Sequence, residues 1–153
     1  MLNNLPKLNL PFYTFKTKTV KQSTQIFDTI RKKFIELTPE EWVRQHFINF
    51  LITEKKYPAS LFLVEKGIKV KTMNKRTDII VYSAKSASPY LLVECKAPTI
   101  KITQDAFMQA ANYNLTQKVT FLIVTNGLNH FCCKMNYIDN SFEFLQEIPE
   151  YSG

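Results

Sequence analysis

The sequence predicts an α/β fold: a mixed central sheet of about four or more strands flanked by two helices. Three stretches carry that reading. Residues 76–98 read as two short buried strands, Arg-Thr-Asp-Ile-Ile-Val-Tyr and Pro-Tyr-Leu-Leu-Val-Glu-Cys-Lys-Ala-Pro, joined by the polar loop Ser83 to Ser88. Thr38-Pro39-Glu40-Glu41 is a helix start, with Thr38 as N-cap, Pro39 at N1 and Glu41 at N3 of a capping box. Thr103 caps a second helix reaching about Leu115, and a continuous apolar strand, Val119 to Thr125, follows it.

At 153 residues the chain suits one domain with a sizeable core, read as an N-terminal arm over residues 1–24 and a single domain over 25–153. The arm carries scattered lysines and an edge strand is expected from Phe12 to Thr17. Ile26, Phe27, Ile30, Phe34 and Leu37 recur at helical spacing, which predicts a helix over Gln25 to Leu37 with Arg31, Lys32 and Lys33 on its other face, read as solvated or, alternatively, as a phosphate-backbone contact. The 38–55 helix turns Val43, Phe47, Phe50 and Leu51 inward. Tyr57-Pro58-Ala59-Ser60 ends it. Strand-like residues 61–65 and 68–70 then flank Gly67, read as a hairpin or bulge, and Asn74-Lys75-Arg76 reads as a basic turn. Beyond the central strand, Asn126-Gly127 is a hairpin turn, Leu128 to Met135 returns, and Ser141 to Leu145 adds an edge strand.

Composition narrows the function. A net charge of +7 suits a polyanionic partner, and equally a generically basic soluble protein, since charge alone carries no specificity. With three glycines, the chain lacks a Gly-rich phosphate loop. There is no Gly-x-Ser-x-Gly elbow. Three cysteines, two of them adjacent at Cys132-Cys133, fit a reduced cytoplasm, and no apolar run approaches a membrane span. His130 reads as a satisfied strand histidine, and Cys132-Cys133 as packing.

The chemistry concentrates in the 76–98 hairpin. Alternation puts Leu92, Glu94 and Lys96 on one face of their strand, with Cys95 on the other; Asp78 shares a face with Ile80 and Tyr82. A carboxylate within a buried strand needs a partner or a metal. Two carboxylates and a lysine on neighbouring strands suit a hard cation with a bound water. The competing reading is a buried ion-pair network.

Asp78 followed by Glu94-Cys95-Lys96 resembles the acid…Glu-x-Lys signature of the PD-(D/E)XK nuclease superfamily. Together with Leu-Thr-Pro-Glu-Glu-Trp-Val-Arg-Gln (37–45) and Thr-Asn-Gly-Leu (125–128), it is similar to the family of small proteins related to the N-terminal nuclease domain of type I restriction enzyme R subunits, over roughly residues 25–135. The resemblance implies a restriction-endonuclease-like core in the order α-β-β-β-α-β and metal-dependent hydrolysis of DNA. Asp78, Glu94 and the Cys95 backbone carbonyl would hold Mg²⁺ or Mn²⁺, and Lys96 would position or activate water. It further implies an acid on the first core helix. Glu40 and Glu41 both fall in the matching segment; spacing favours Glu40, while Glu41 has a sufficient role as a cap, and both could serve the helix terminus alone. Gln109 and Tyr113 resemble a Gln-x-x-x-Tyr motif that contacts DNA phosphate. Arg44, able to pair with Glu40 one turn away, and Arg76 are further candidate DNA contacts. DNA, other restriction or repair subunits and a homodimer are the expected partners. The alternative function is a catalytically silent nucleic-acid-binding or protein-interaction module on the same fold. The residues do not decide DNA against RNA.

Overall fold

A computed structural model describes residues 4–70, 73–115 and 117–153; the side chains of residues 65–70, 73–77 and Tyr113 lie outside the described residues. The chain runs β1 (Thr17–Val20), β2 (Ser23–Asp28), β3 (Lys33–Glu36), α1 (Pro39–Thr53), β4 (Phe62–Val70), β5 (Met73–Tyr82), β6 (Pro89–Cys95), α2 (Gln104–Asn114), β7 (Phe121–Thr125), β8 (His130–Asn136) and β9 (Ser141–Leu145). From α1 to β7 this is the expected α-β-β-β-α-β order. The main sheet has six strands in the order β4-β5-β6-β7-β8-β9. It is mixed: β6 and β7 are parallel and the other neighbours antiparallel. The parallel pair requires a crossover, and α2 supplies it.

The two helices lie on opposite faces of the sheet. Val43, Phe47, Ile48 and Leu51 of α1 pack with Ile79, Val81, Leu91, Val93 and Ile123. Phe107, Ala110 and Ala111 of α2 pack with Ile80, Leu92, Leu122 and Val124. Alternating residues of β5, β6 and β7 thus feed two cores, so these strands read as continuous apolar runs. Each fully buried Leu, Ile or Phe here is worth about 1.5–3 kcal/mol of transfer free energy. Both N-caps form as the sequence predicts, but the capping box is not completed: the Thr38 N–H donates to the Glu36 carbonyl at 3.2 Å, and the Glu41 carboxylate turns to Arg31, Arg44 and Gln45 instead. Thr38 Oγ1 accepts the Glu41 N–H at 3.1 Å, and Thr103 Oγ1 accepts the Ala106 N–H at 3.2 Å.

Residues 25–37 correct the helical expectation. They form β2, a turn and β3, which with β1 make a separate antiparallel sheet. Asp28 Oδ1 accepts the backbone N–H groups of Ile30 and Arg31, both at 2.8 Å, which closes a turn where the helix would have continued. Lys32 then adopts φ 54°. Phe27 and Phe34, seven apart in sequence, face each other across the ladder with ring centroids 5.2 Å apart. Two further expectations shift. The first strand starts at Thr17 rather than spanning Phe12 to Thr17. Gly67 lies inside the unbroken β4–β5 register opposite Arg76, so Asn74, Lys75 and Arg76 are strand rather than turn; the residues between Val70 and Met73 lie outside the described residues.

The N-terminal segment is fastened down. The Trp42 indole N–H donates to the Pro6 carbonyl at 3.1 Å, and the Asn9 N–H donates to the Gly127 carbonyl at 2.8 Å. Leu8 is buried in the α1-side core. Both His130 ring nitrogens are engaged, with Thr125 Oγ1 at 2.7 Å and the Asn9 carbonyl at 2.9 Å. The three cysteines are free and buried. Among the described residues, no helix is long and apolar enough to cross a membrane.

Gly127 links these parts. Its φ is +82°, and a Cβ there would sit 2.7 Å from Leu8 Cδ2 and 3.1 Å from Val43 Cγ2. Gly127→Ala should therefore cost about 1–3 kcal/mol, mostly from the left-handed backbone. A urea-denaturation midpoint measures it; an unchanged midpoint would refute the assignment.

Candidate functional site

The candidate site forms where the β5–β6 ladder ends against the first turn of α1. Ile79 pairs with Val93 in that ladder, so the next step of the register brings Asp78 beside Glu94. On its other side β6 runs parallel to β7, with Glu94 facing Val124, and the Lys96 N–H donates to the Thr125 carbonyl at 2.8 Å. The residues of the acid…Glu-x-Lys pattern thus come together, held from two directions by backbone pairing.

Asp78 is buried, with 9% of its side chain exposed. Its Oδ2 accepts the Cys95 N–H at 2.6 Å and its Oδ1 accepts from Arg44 Nη2 at 2.8 Å. Burial pushes the Asp78 carboxyl above its ordinary range and Glu94 adds repulsion, only partly offset by Arg44 and the Cys95 N–H. Glu94 and Lys96 form a 2.6 Å ion pair, and their side chains remain 30% and 38% exposed, open to a ligand. Burial alone would depress the Lys96 ammonium. The hydrogen bond and charge of Glu94, with Asp78 and Glu40 beyond, outweigh it and raise the pKa. Lys96 therefore rests as a cation at neutral pH. Cys95, fully buried, has its thiol pushed well up and is inert; its contribution here is backbone.

The two helix acids part company. Glu41 is the buried one. It accepts from Arg31 Nη2 at 2.6 Å, from Gln45 Nε2 at 2.8 Å and from Arg44 Nη1. Glu40, which spacing alone turns inward, keeps 46% of its side chain exposed and touches Arg44 Nη2 at 3.0 Å. It nevertheless stands in the field of the site: desolvation, then the charge of Asp78, raises its pKa against the pull of Arg44 and Lys96. Arg44, a candidate DNA contact from sequence, is instead buried with 4% of its side chain exposed, bonded to Glu40, Glu41 and Asp78. Burial works against its charge, yet Asp78 and Glu41 hold its pKa above the ordinary value.

Asp28 and Gln45, which sequence reasoning gave no role, extend this cluster together with Arg31. Asp28 is fully buried, its Oδ2 2.5 Å from Arg31 Nε and 2.9 Å from Gln45 Nε2. Arg31, expected on a solvated face, turns inward to Glu41. An unbroken run of alternating charge thus passes from Asp28 through Arg31, Glu41 and Arg44 to Asp78. The signal for it was the acid–base spacing of Asp28 with Arg31 and of Glu40-Glu41 with Arg44-Gln45, hidden by the helical reading of residues 25–37. Gln109 is exposed on α2, and the side chains of Tyr113 and Arg76 lie outside the described residues.

The oxygen donors of Asp78 and Glu94 and the Cys95 carbonyl match a hard divalent cation in chemistry. Among the described residues, no group of three or more His, Cys, Asp or Glu is already gathered around one point, because Arg44 and Lys96 hold the carboxylates. Asp78 Oδ1 accepts from Arg44 and Oδ2 from the Cys95 N–H, each with one lone pair, and among the described residues Glu94 is paired with the partly exposed Lys96. In donor chemistry the set fits such an ion, while Glu94 is paired with Lys96 in this structure.

A family model described as the type I restriction enzyme R protein N terminus matches residues 39–149. No curated protein and no solved structure matches the chain.

Two outcomes follow from the charge run. Arg44→Met leaves Asp78 buried without its cation and should destabilise the fold by about 3–5 kcal/mol. Arg44→Met combined with Asp78→Asn should recover part of that loss in a denaturant titration. Burial would raise the Asp28 pKa, but the Arg31 N–H and guanidinium and the Gln45 amide prevail and hold its carboxyl below the ordinary aspartate range. A depressed folded-state pKa adds stability above the unfolded pKa and loses it as pH falls through the folded value. The stability gap between wild type and Asp28→Asn should accordingly be full at pH 7 and shrink below about pH 4; a gap independent of pH would contradict the pairing.

Proposed function

The chain belongs to the family of the type I restriction enzyme R protein N terminus, and from that membership and the site's geometry we propose that it is a metal-dependent nuclease hydrolysing phosphodiester bonds in DNA. The observation that carries the reading is the convergence of Asp78, Glu94 and Lys96 at one strand end, two of them open to solvent, with Glu40 at its rim.

Asp78, Glu94 and the Cys95 carbonyl would hold Mg²⁺ or Mn²⁺; the ion, when bound, lowers the pKa of a bound water and polarises a phosphoryl oxygen. The protein's own residues do the rest. Asp78 is held by the Cys95 N–H and Arg44, which orders its carboxylate before any ion would bind. Lys96, resting as an ammonium, is a poor base. Its role is to hold the attacking water or donate to the phosphate oxygen on which negative charge builds as the water oxygen bonds to phosphorus and the ester oxygen leaves. Glu40 supplies an exposed carboxylate that orients a further water. Gln109 on α2 would contact the phosphate backbone. Arg44 positions carboxylates rather than DNA. DNA is the partner, other restriction subunits would supply targeting, and two cuts in a duplex would call for two copies of the site.

Purified protein should nick supercoiled DNA with Mg²⁺ or Mn²⁺ and not in EDTA. Asp78→Asn and Lys96→Ala should each slow it at least about a hundredfold with unchanged circular dichroism. Lys96→Ala cutting at the wild-type rate would remove Lys96 from the mechanism, and metal-independent nicking would remove the reading itself.

A further inference from the structure

We propose that the outward face of the β1–β2–β3 sheet is a binding surface for a single strand of nucleic acid, separate from the carboxylate cluster. Cross-strand partners share a face, and the ladder sorts the residues. Thr17, Ile26 and Ile35 form the inward row, with Ile26 fully buried. The outward rows are Lys18, Gln25 and Glu36, and beside them Phe27 and Phe34, with Lys16 bonded through its backbone carbonyl to the Phe27 N–H at 2.8 Å. Lys21 and Lys32 sit in the two turns, and all four lysines are exposed.

Charge and ring geometry choose the occupant. Residues 16–36 hold six cations against two anions, and so carry +4 of the chain's +7. Of the two anions, Asp28 is buried against Arg31, leaving Glu36 as the exposed one. This segment lies outside the residues 39–149 matched by the family. The phenyl faces are turned to the lysine-bearing side: Lys18 Nζ lies 4.2 Å from the Phe34 centroid, and Lys16 Nζ lies 5.9 Å from both rings. In the free protein the ammonium groups cover the rings. A base stacking on Phe34 would take the place of the ammonium, which then pairs with the adjoining phosphate; each lysine exchanges a weak partner for a full charge. Only an unpaired base offers its face, so the geometry selects a single strand over a duplex.

The test uses the full chain in EDTA, so that hydrolysis plays no part, and the anisotropy of a fluorescein-labelled oligothymidylate across a KCl series. Lys16→Gln/Lys18→Gln should make the salt slope shallower by about 1.4, the share of two phosphates on a single strand. Phe34→Leu, which keeps the apolar bulk, should weaken binding about tenfold at an unchanged slope. Lys134→Gln, an exposed lysine of β8 outside this sheet, should keep the wild-type affinity and slope. Absent binding, sheet variants indistinguishable from wild type with intact circular dichroism, tighter binding of a blunt duplex, or a Lys134→Gln loss as large as that of Lys16→Gln/Lys18→Gln would each overturn the proposal.

Discussion

A guanidinium buried among carboxylates governs how this protein is put together. Placing Arg44 in the interior costs several kcal/mol of lost hydration. That cost is offset only if its carboxylate partners are delivered together, two from its own helix and one from β5. Glu40 and Glu41 arrive by helical spacing alone. Asp78 has the strand parity of Ile80, on the α2 side; it reaches Arg44 because it stands at the end of the β5–β6 ladder, where the register also sets its carboxylate against the Cys95 N–H. The interaction therefore adds little net stability yet ties the choice of strand register to the seating of α1.

The same charge has a second set of neighbours. Glu41 lies between Arg44 and Arg31, and Asp28 closes the run beyond Arg31. Gln45 bridges the two acids with one amide nitrogen. Alternating signs at hydrogen-bonding distance let five ionised groups share an interior that would tolerate none of them singly. The small N-terminal sheet is thereby wired to the helix that carries the site acids, although the two sheets share no strand.

The central elements were legible because they obey one rule each. The capping residues mark where both helices start, and period-two alternation in β5 and β6 places Asp78, Glu94 and Lys96 without further help. Residues 25–37 failed because their apolar spacing satisfies a helix and a hairpin alike. Asp28 decides between them by bonding two backbone N–H groups, a local contact that periodicity does not register. The ordering of Glu40 and Glu41 was hidden for a related reason. Helical phase puts Glu40 on the inner side, but the partners that draw Glu41 inward include Arg31, brought from a different sheet.

The bond between Asn9 and Gly127 joins the segment before β1 to the β7–β8 turn, and it has a consequence for synthesis on the ribosome. Leu8 can bury itself only against the completed β7–β8 turn and α1. The Lys96 N–H likewise waits for the Thr125 carbonyl. A nascent chain that has not yet released residue 127 therefore has its Glu-x-Lys strand without the neighbour that fixes it and its first ten residues without a berth. By geometry alone, assembly of the acidic centre waits until β7 and the turn after it have emerged, although β5 and β6 carry its residues.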